Sequence, residues 1–197
     1  MRNLIFAIAL FAAAGVAAQA PPQRIRGDVA ALDGTTLTVK TRSGESLTVK
    51  LADNYTVAGL VTVDRTALAD GAYVGTAAMP RPDGAQTALE VLVFPESMRG
   101  TGEGHGPWDL MPGSTMTNAT IARVAKDGTD HRLTLRYKDG EKTVIVPDNV
   151  PLVTFEGGDR SLLVPGAHII LTATKQPDGT LTATRVTVGK NGLVPPM

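Results

Sequence analysis

The chain has 197 residues with 19 basic and 19 acidic side chains, so no net charge marks nucleic acid or an anionic lipid surface as a partner. It has no cysteine, which excludes disulfides, thiolate metal sites, iron–sulfur clusters and thiol nucleophiles. With 21 glycines, 13 prolines and 4% aromatics, the composition excludes a helical bundle or coiled coil and suits one or two small, turn-rich domains.

At the N-terminus, Arg2 precedes an uncharged apolar run from Leu4 to Val16, followed by small residues. That is the pattern of a secretory signal, and the run is shorter than the roughly 20 residues of a membrane helix. Val16-Ala17-Ala18 places cleavage before Gln19, and Ala18-Gln19-Ala20 is the second A-x-A site. Residues 1–18 are therefore expected to be a signal peptide. No cysteine follows that could carry a lipoprotein anchor. Loss of Arg2 leaves 18 basic against 19 acidic residues. No later stretch is long and apolar enough to span a bilayer. The mature chain is expected to be periplasmic or secreted, with no integral membrane segment.

An internal repeat follows. Leu68-Ala69-Asp70-Gly71-Ala72-Tyr73-Val74 matches Leu163-Val164-Pro165-Gly166-Ala167-His168-Ile169. Pro82-Asp83-Gly84 matches Pro177-Asp178-Gly179, Leu37-Thr38-Val39-Lys40 matches Leu133-Thr134-Leu135-Arg136, and Asp53-Asn54 matches Asp148-Asn149. The matches keep their order, which predicts two copies of one module, at 22–96 and 118–189, with a joining segment at 97–117 and a tail at 190–197.

Inside each copy the apolar period is two, as in half-buried strands. Strands are predicted near 24–32, 36–41, 46–51, 72–79 and 87–94, then near 119–125, 132–137, 142–147, 167–174 and 181–188. Leu89, Val91 and Val93 are expected on one face, with Glu90 and Leu92 on the other. Gly in Ser43-Gly44, Asp139-Gly140 and the Pro-Asp-Gly turns supplies hairpins. Short helix-compatible pieces fall at 65–69 and 159–163. Three strands, a helical turn and two strands is the order of a small OB-type barrel. The expected fold class is all-β, with two tandem OB-like five-stranded barrels packed on each other. One continuous sandwich of about ten strands is the alternative.

The tandem Leu-x-x-Gly-x-x-Val/Ile element, the Pro-Asp-Gly hairpins and the signal-like N-terminus resemble exported bacterial OB-like domains of unknown function. Phe94 to His105, Pro107-Trp108-Asp109-Leu110 and Pro112 to Thr120 are similar to the segment joining the halves in one subgroup. Relatives of this kind often carry the label "metal ABC transporter permease", but a permease needs several spanning helices and the mature chain has none. The resemblance implies an exported β-barrel protein and brings no catalytic residues.

The joining segment holds the single Trp and three of the six Met residues. His105 with Met98, Met111 or Met116 would suit Cu(I), and His105 with Glu103 and Asp109 would suit a harder divalent ion. The other reading of the segment is a loop packed over the barrels by Trp108 and its methionines. Trp108 and Arg99 are the candidate ligand or partner surface. Gly100, Gly102, Gly104 and Gly106 alternate without a Gly-Lys-Ser/Thr, so they suit tight turns or close backbone approach better than a phosphate loop. His168 takes the place of Tyr73, early in the fourth strand. No nucleophile elbow or zinc-protease motif occurs. Single-stranded nucleic acid needs a basic groove with stacking aromatics, and the modules carry −2 and +1. The functional expectation is an exported, non-catalytic binding or structural protein with an envelope protein or a glycan as partner and no cofactor. A periplasmic metal-binding accessory using residues 98–116 is the alternative.

Overall fold

The structure, a computed structural model, describes residues 21–196. The signal peptide expected over 1–18 lies outside them. Twelve strands run in chain order: β1 Gln23–Asp33, β2 Thr36–Thr41, β3 Ser46–Thr62, β4 Tyr73–Pro80, β5 Gln86–Val93 and β6 Gly104–Pro107. They continue as β7 Thr115–Asp127, β8 Asp130–Tyr137, β9 Gly140–Val146, β10 Leu152–Gly157, β11 His168–Lys175 and β12 Leu181–Gly189. The fold is all-β. The helix-compatible pieces are single 3-10 turns at Arg65–Ala67 and Arg160–Leu162. Each is capped by the preceding aspartate: Asp64 accepts from Thr66 N at 2.8 Å and Asp159 from Ser161 N at 2.7 Å.

β1, β2 and β3 form an antiparallel meander. β12 lies parallel to β3, β11 pairs with β12, and β11 pairs back onto β1, which closes a five-stranded barrel. Alternation fills its interior: Leu37, Val39, Val49 and Leu51 are buried, with Ile169, Leu171, Val186 and Val188 from the far hairpin. Gly27 sits where β1 meets β2, and a Cβ there would lie 2.2 Å from Lys40 O, so only glycine fits this approach.

The other strands repeat the order. β7, β8 and β9 form a meander, β5 lies parallel to β9 at Gln86↔Val144 and Thr87↔Ile145, and β4 pairs with both β5 and β7. Val74, Ala88, Val91, Ile121, Leu133, Leu135 and Val144 form their core.

This pairing departs from contiguous barrels over 22–96 and 118–189. The β4–β5 hairpin joins β7–β9, and the β11–β12 hairpin joins β1–β3. The connecting element is β3. Its 17 residues span on the order of 55 Å at about 3.3 Å per residue, enough to carry the chain out of one barrel and toward the other. The matching stretch of the second copy carries Pro147 and Pro151, which cannot donate to a ladder, so it divides into β9 and β10.

β10 pairs antiparallel with the second half of β3, with Leu60 opposite Phe155. The same 95-residue step separates Leu60 from Phe155 and Gly71 from Gly166. Pairs Thr62↔Val153 and Ala58↔Gly157 exchange under that step. A local twofold relation between the copies therefore passes through the Leu60–Phe155 pair. A third core, of Leu60, Leu92 and Val153 with Phe94, Phe155 and Leu193 against it, joins the barrels there.

Candidate functional site

The segment between β5 and β7 crosses onto the outer face of the β1–β2–β3–β12–β11 barrel. Asp109 fixes it there. Its carboxylate accepts from Arg26 Nη2 at 2.9 Å and lies 3.5 Å from Arg24 Nη1. Burial pulls the Asp109 pKa up, but the hydrogen bond and charge of Arg26, with Arg24, outweigh it and hold the carboxyl below its usual value. Ser114 ties the same loop, donating to Met111 O and accepting from Met111 N. Thr115 onward then enters β7.

Beside Asp109, Trp108 walls a cavity of about 310 Å³ on the outer face of β1, β11 and β12. Strand alternation explains the lining. Leu171 and Val186 point into the barrel, so Ile170, Thr172 and Thr187 point out. Arg24 stands opposite Thr172 in the β1–β11 ladder and reaches the same face. Thr184 lies in a bulge of β12 between Ala183 and Arg185, and both it and Arg185 line the cavity. The Arg24 guanidinium lies 3.6 Å from the Trp108 ring centre, and that of Arg185 lies 5.1 Å from the Phe155 ring centre. Trp108 Nε1 is shielded from solvent and has no acceptor among the described residues. The lining therefore offers two guanidiniums, the exposed hydroxyls of Thr172 and Thr184, the wall of the indole ring and a small apolar floor.

The expected metal ligands go elsewhere. His105, in β6, shares a 2.9 Å hydrogen bond between Nδ1 and Thr117 Oγ1, and its ring stacks on Tyr137 at 6.3 Å. Burial, with the charge of Lys142, lowers its pKa. Glu103 Oε1 accepts from Lys138 N at 2.9 Å. Asp109 is bound to the two arginines. Met98 ends the 3-10 turn Glu96–Met98, Met111 is exposed in the Trp108 loop, and Met116 lies in β7 between Ala77 and Gly106. Among the described residues no three His, Asp or Glu side chains gather around a point that could hold an ion.

Arg99 is engaged within the fold. It pairs with Glu96 and donates to Gly71 O at 2.9 Å, and its guanidinium lies 6.0 Å from the Tyr73 ring centre. Of the residues singled out in sequence, Trp108 alone lines the cavity, with Asp109 holding its neighbours. Gly100, Gly102 and Gly104 have φ of 83°, 58° and 142°, which fits the turning backbone expected of them. Tyr73 is buried against Phe94 and donates to Thr101 O, whereas its counterpart His168 meets Asp28 Oδ1 at 2.6 Å from Nδ1. Arg24 and Arg185 carried no signal in sequence, since each sits in an ordinary alternating strand.

Among the described residues no helix is long and apolar enough to cross a membrane. Comparison with family models, curated proteins and solved structures finds no match to the chain.

Proposed function

We propose that this chain is an exported, non-catalytic binding protein of the bacterial periplasm or envelope, and that its ligand seats under Trp108. The observation that carries this reading is the cavity between the joining segment and the outer faces of β1, β11 and β12. It is concave, part apolar and lined by a few polar groups, the usual make-up of a small-ligand site. Its volume is at the small end of such sites, which suits one ring-sized group, such as one residue of a glycan. The lining holds no carboxylate, imidazole or other group that titrates near neutral pH, so its chemistry favours holding a ligand over transforming it.

The strand order supports an OB-like reading of each barrel. A three-stranded meander is closed by a hairpin whose second strand lies parallel to the third. The two OB-like units are then reciprocal, each lending its last hairpin to the other. The apolar run at Leu4–Val16 supports export.

The single Trp makes the test direct, because its emission reports the cavity alone. Titration of the mature protein with a panel of soluble envelope saccharides is expected to change Trp108 emission saturably. Trp108→Ala is expected to weaken binding at least tenfold by calorimetry while thermal unfolding stays cooperative. A panel that leaves both emission and heat unchanged would overturn the reading.

A further inference from the structure

We infer that the ligand of the Trp108 cavity is an acidic saccharide: a sugar ring carrying an oxyanion, either carboxylate or phosphate. The inference rests on that cavity being the binding site. Hydrogen-bond arithmetic is its first support. Arginine and indole donate and never accept, and threonine does either. With the guanidiniums of Arg24 and Arg185 in the lining, donors dominate and no carboxylate lines the cavity. A neutral polyol offers donors and acceptors in balance, so it would leave guanidinium N–H groups unused. An oxyanion uses them.

The second support is how the two guanidiniums are held. Arg24 lies over Trp108 and Arg185 over Phe155, so an aromatic ring backs each one. Stacking occupies the face of a guanidinium and leaves the in-plane N–H edge for hydrogen bonding, the geometry a carboxylate or phosphate takes bidentately. At 3.6 Å from the Trp108 ring centre, the Arg24 guanidinium is also held in place before the ligand arrives, which lowers the ordering cost of binding.

Charge is the third support. Asp109 is the carboxylate beside the site, and its closest partner is Arg26 at 2.9 Å, outside the lining. Arg24 is shared with it at 3.5 Å, while Arg185 forms no ion pair among the described residues. The cavity therefore keeps positive charge. The exposed Thr172 and Thr184 are left to bind the ring hydroxyls, and Ile170 provides an apolar patch for its carbon face.

The test titrates the mature protein with glucuronate, glucose 6-phosphate, glucose and inorganic phosphate, following Trp108 emission and heat at low salt. Glucuronate, glucose 6-phosphate or both are expected to bind at least tenfold more tightly than glucose and than inorganic phosphate. Whichever binds more tightly identifies the oxyanion. Arg185→Gln is expected to erase the preference over glucose while the melting temperature stays within a few degrees. Glucose binding as well as the acids would overturn the acidic assignment and leave the Trp108 site standing. Inorganic phosphate matching the sugar phosphate would overturn the saccharide assignment. No response to any of the four, with a neutral envelope saccharide still shifting Trp108 emission, would overturn this inference alone. No response to any saccharide at all would remove the site with it.

Discussion

Glu90 shows how position in the fold overrides local pattern at the scale of one residue. It lies on the face of β5 opposite Val91, where alternation alone would leave it in water. It is instead fully buried, and neither carboxyl oxygen has a hydrogen-bond partner among the described residues. Burial pushes its pKa up to about 8, against the opposing pull of Arg26 and Arg42 from the other barrel, so at pH 7 the group is mostly a neutral acid. The unfolded chain ionises the same group near 4.5. Between those values the unfolded state binds fewer protons, so Glu90 lowers stability as pH rises from about 4.5 to about 8 and adds no further change above. We expect Glu90→Gln to flatten this slope and to gain on the order of a few kcal/mol at pH 8 relative to pH 4.5. Urea unfolding at both pH values measures it, and parallel pH profiles for the two proteins would refute the assignment. The 95-residue step takes Glu90 to Arg185, which lines the open cavity. One repeat position thus holds an interior acid in one copy and a cavity-lining cation in the other.

At the scale of elements, the two capped turns hold the halves together. Arg65 reaches the chain between β9 and β10, donating to Pro147 O at 2.8 Å, Val150 O at 3.1 Å and also Asp148 O. Arg160 does the same within β3, donating to Asp53 O at 2.7 Å and Tyr55 O at 3.2 Å with its guanidinium 4.0 Å from the Tyr55 ring centre. Each arginine belongs to one repeat and binds the other. Arg160→Ala is expected to cost about 1 kcal/mol in urea unfolding, because the exposed Asp53 carbonyl and the part-buried Tyr55 carbonyl lose a charged donor, and Arg160→Lys to restore only part. A loss below about 0.5 kcal/mol would show that the clasp carries no weight. Most strands were readable: 36–41 is β2, and the predicted 72–79 and 87–94 differ from β4 and β5 by one residue at each end, but the strand expected at 46–51 runs on to Thr62 as β3, and its partner β10 was not expected. Period two says which side chains share a face. It does not say which strand lies alongside, and the two final hairpins have matching patterns, so the exchange between copies leaves no trace in the pattern. β6 was invisible because Gly104–Pro107 has no apolar alternation. In the site, Trp108 stood out by rarity, whereas Arg24 and Arg185 meet it only through pairing across more than 70 positions of chain.

For the whole molecule, reciprocal exchange means that neither half owns a barrel. A protease site inserted at Gly100 and cleaved in the folded protein should yield two fragments that co-elute at the mass of the intact chain and unfold in one transition. β4–β5 stays paired with β7–β9, and β11–β12 with β1–β3, across the cut. Fragments that separate in native buffer, as contiguous barrels on a linker would, refute the exchange. The same connectivity sets an order during synthesis. The strands from β4 to β9 are all available once Val146 has emerged, but β1, β2 and β3 lack their closing partner until Gly189 is made. At roughly 5–20 residues per second, the end of β12 follows the end of β9 by a few seconds. Any message cut short before β12 gives a product with an unpaired β3 edge, a template for proteolysis or stray strand addition. Closure of the first three strands thus requires a chain complete through β12.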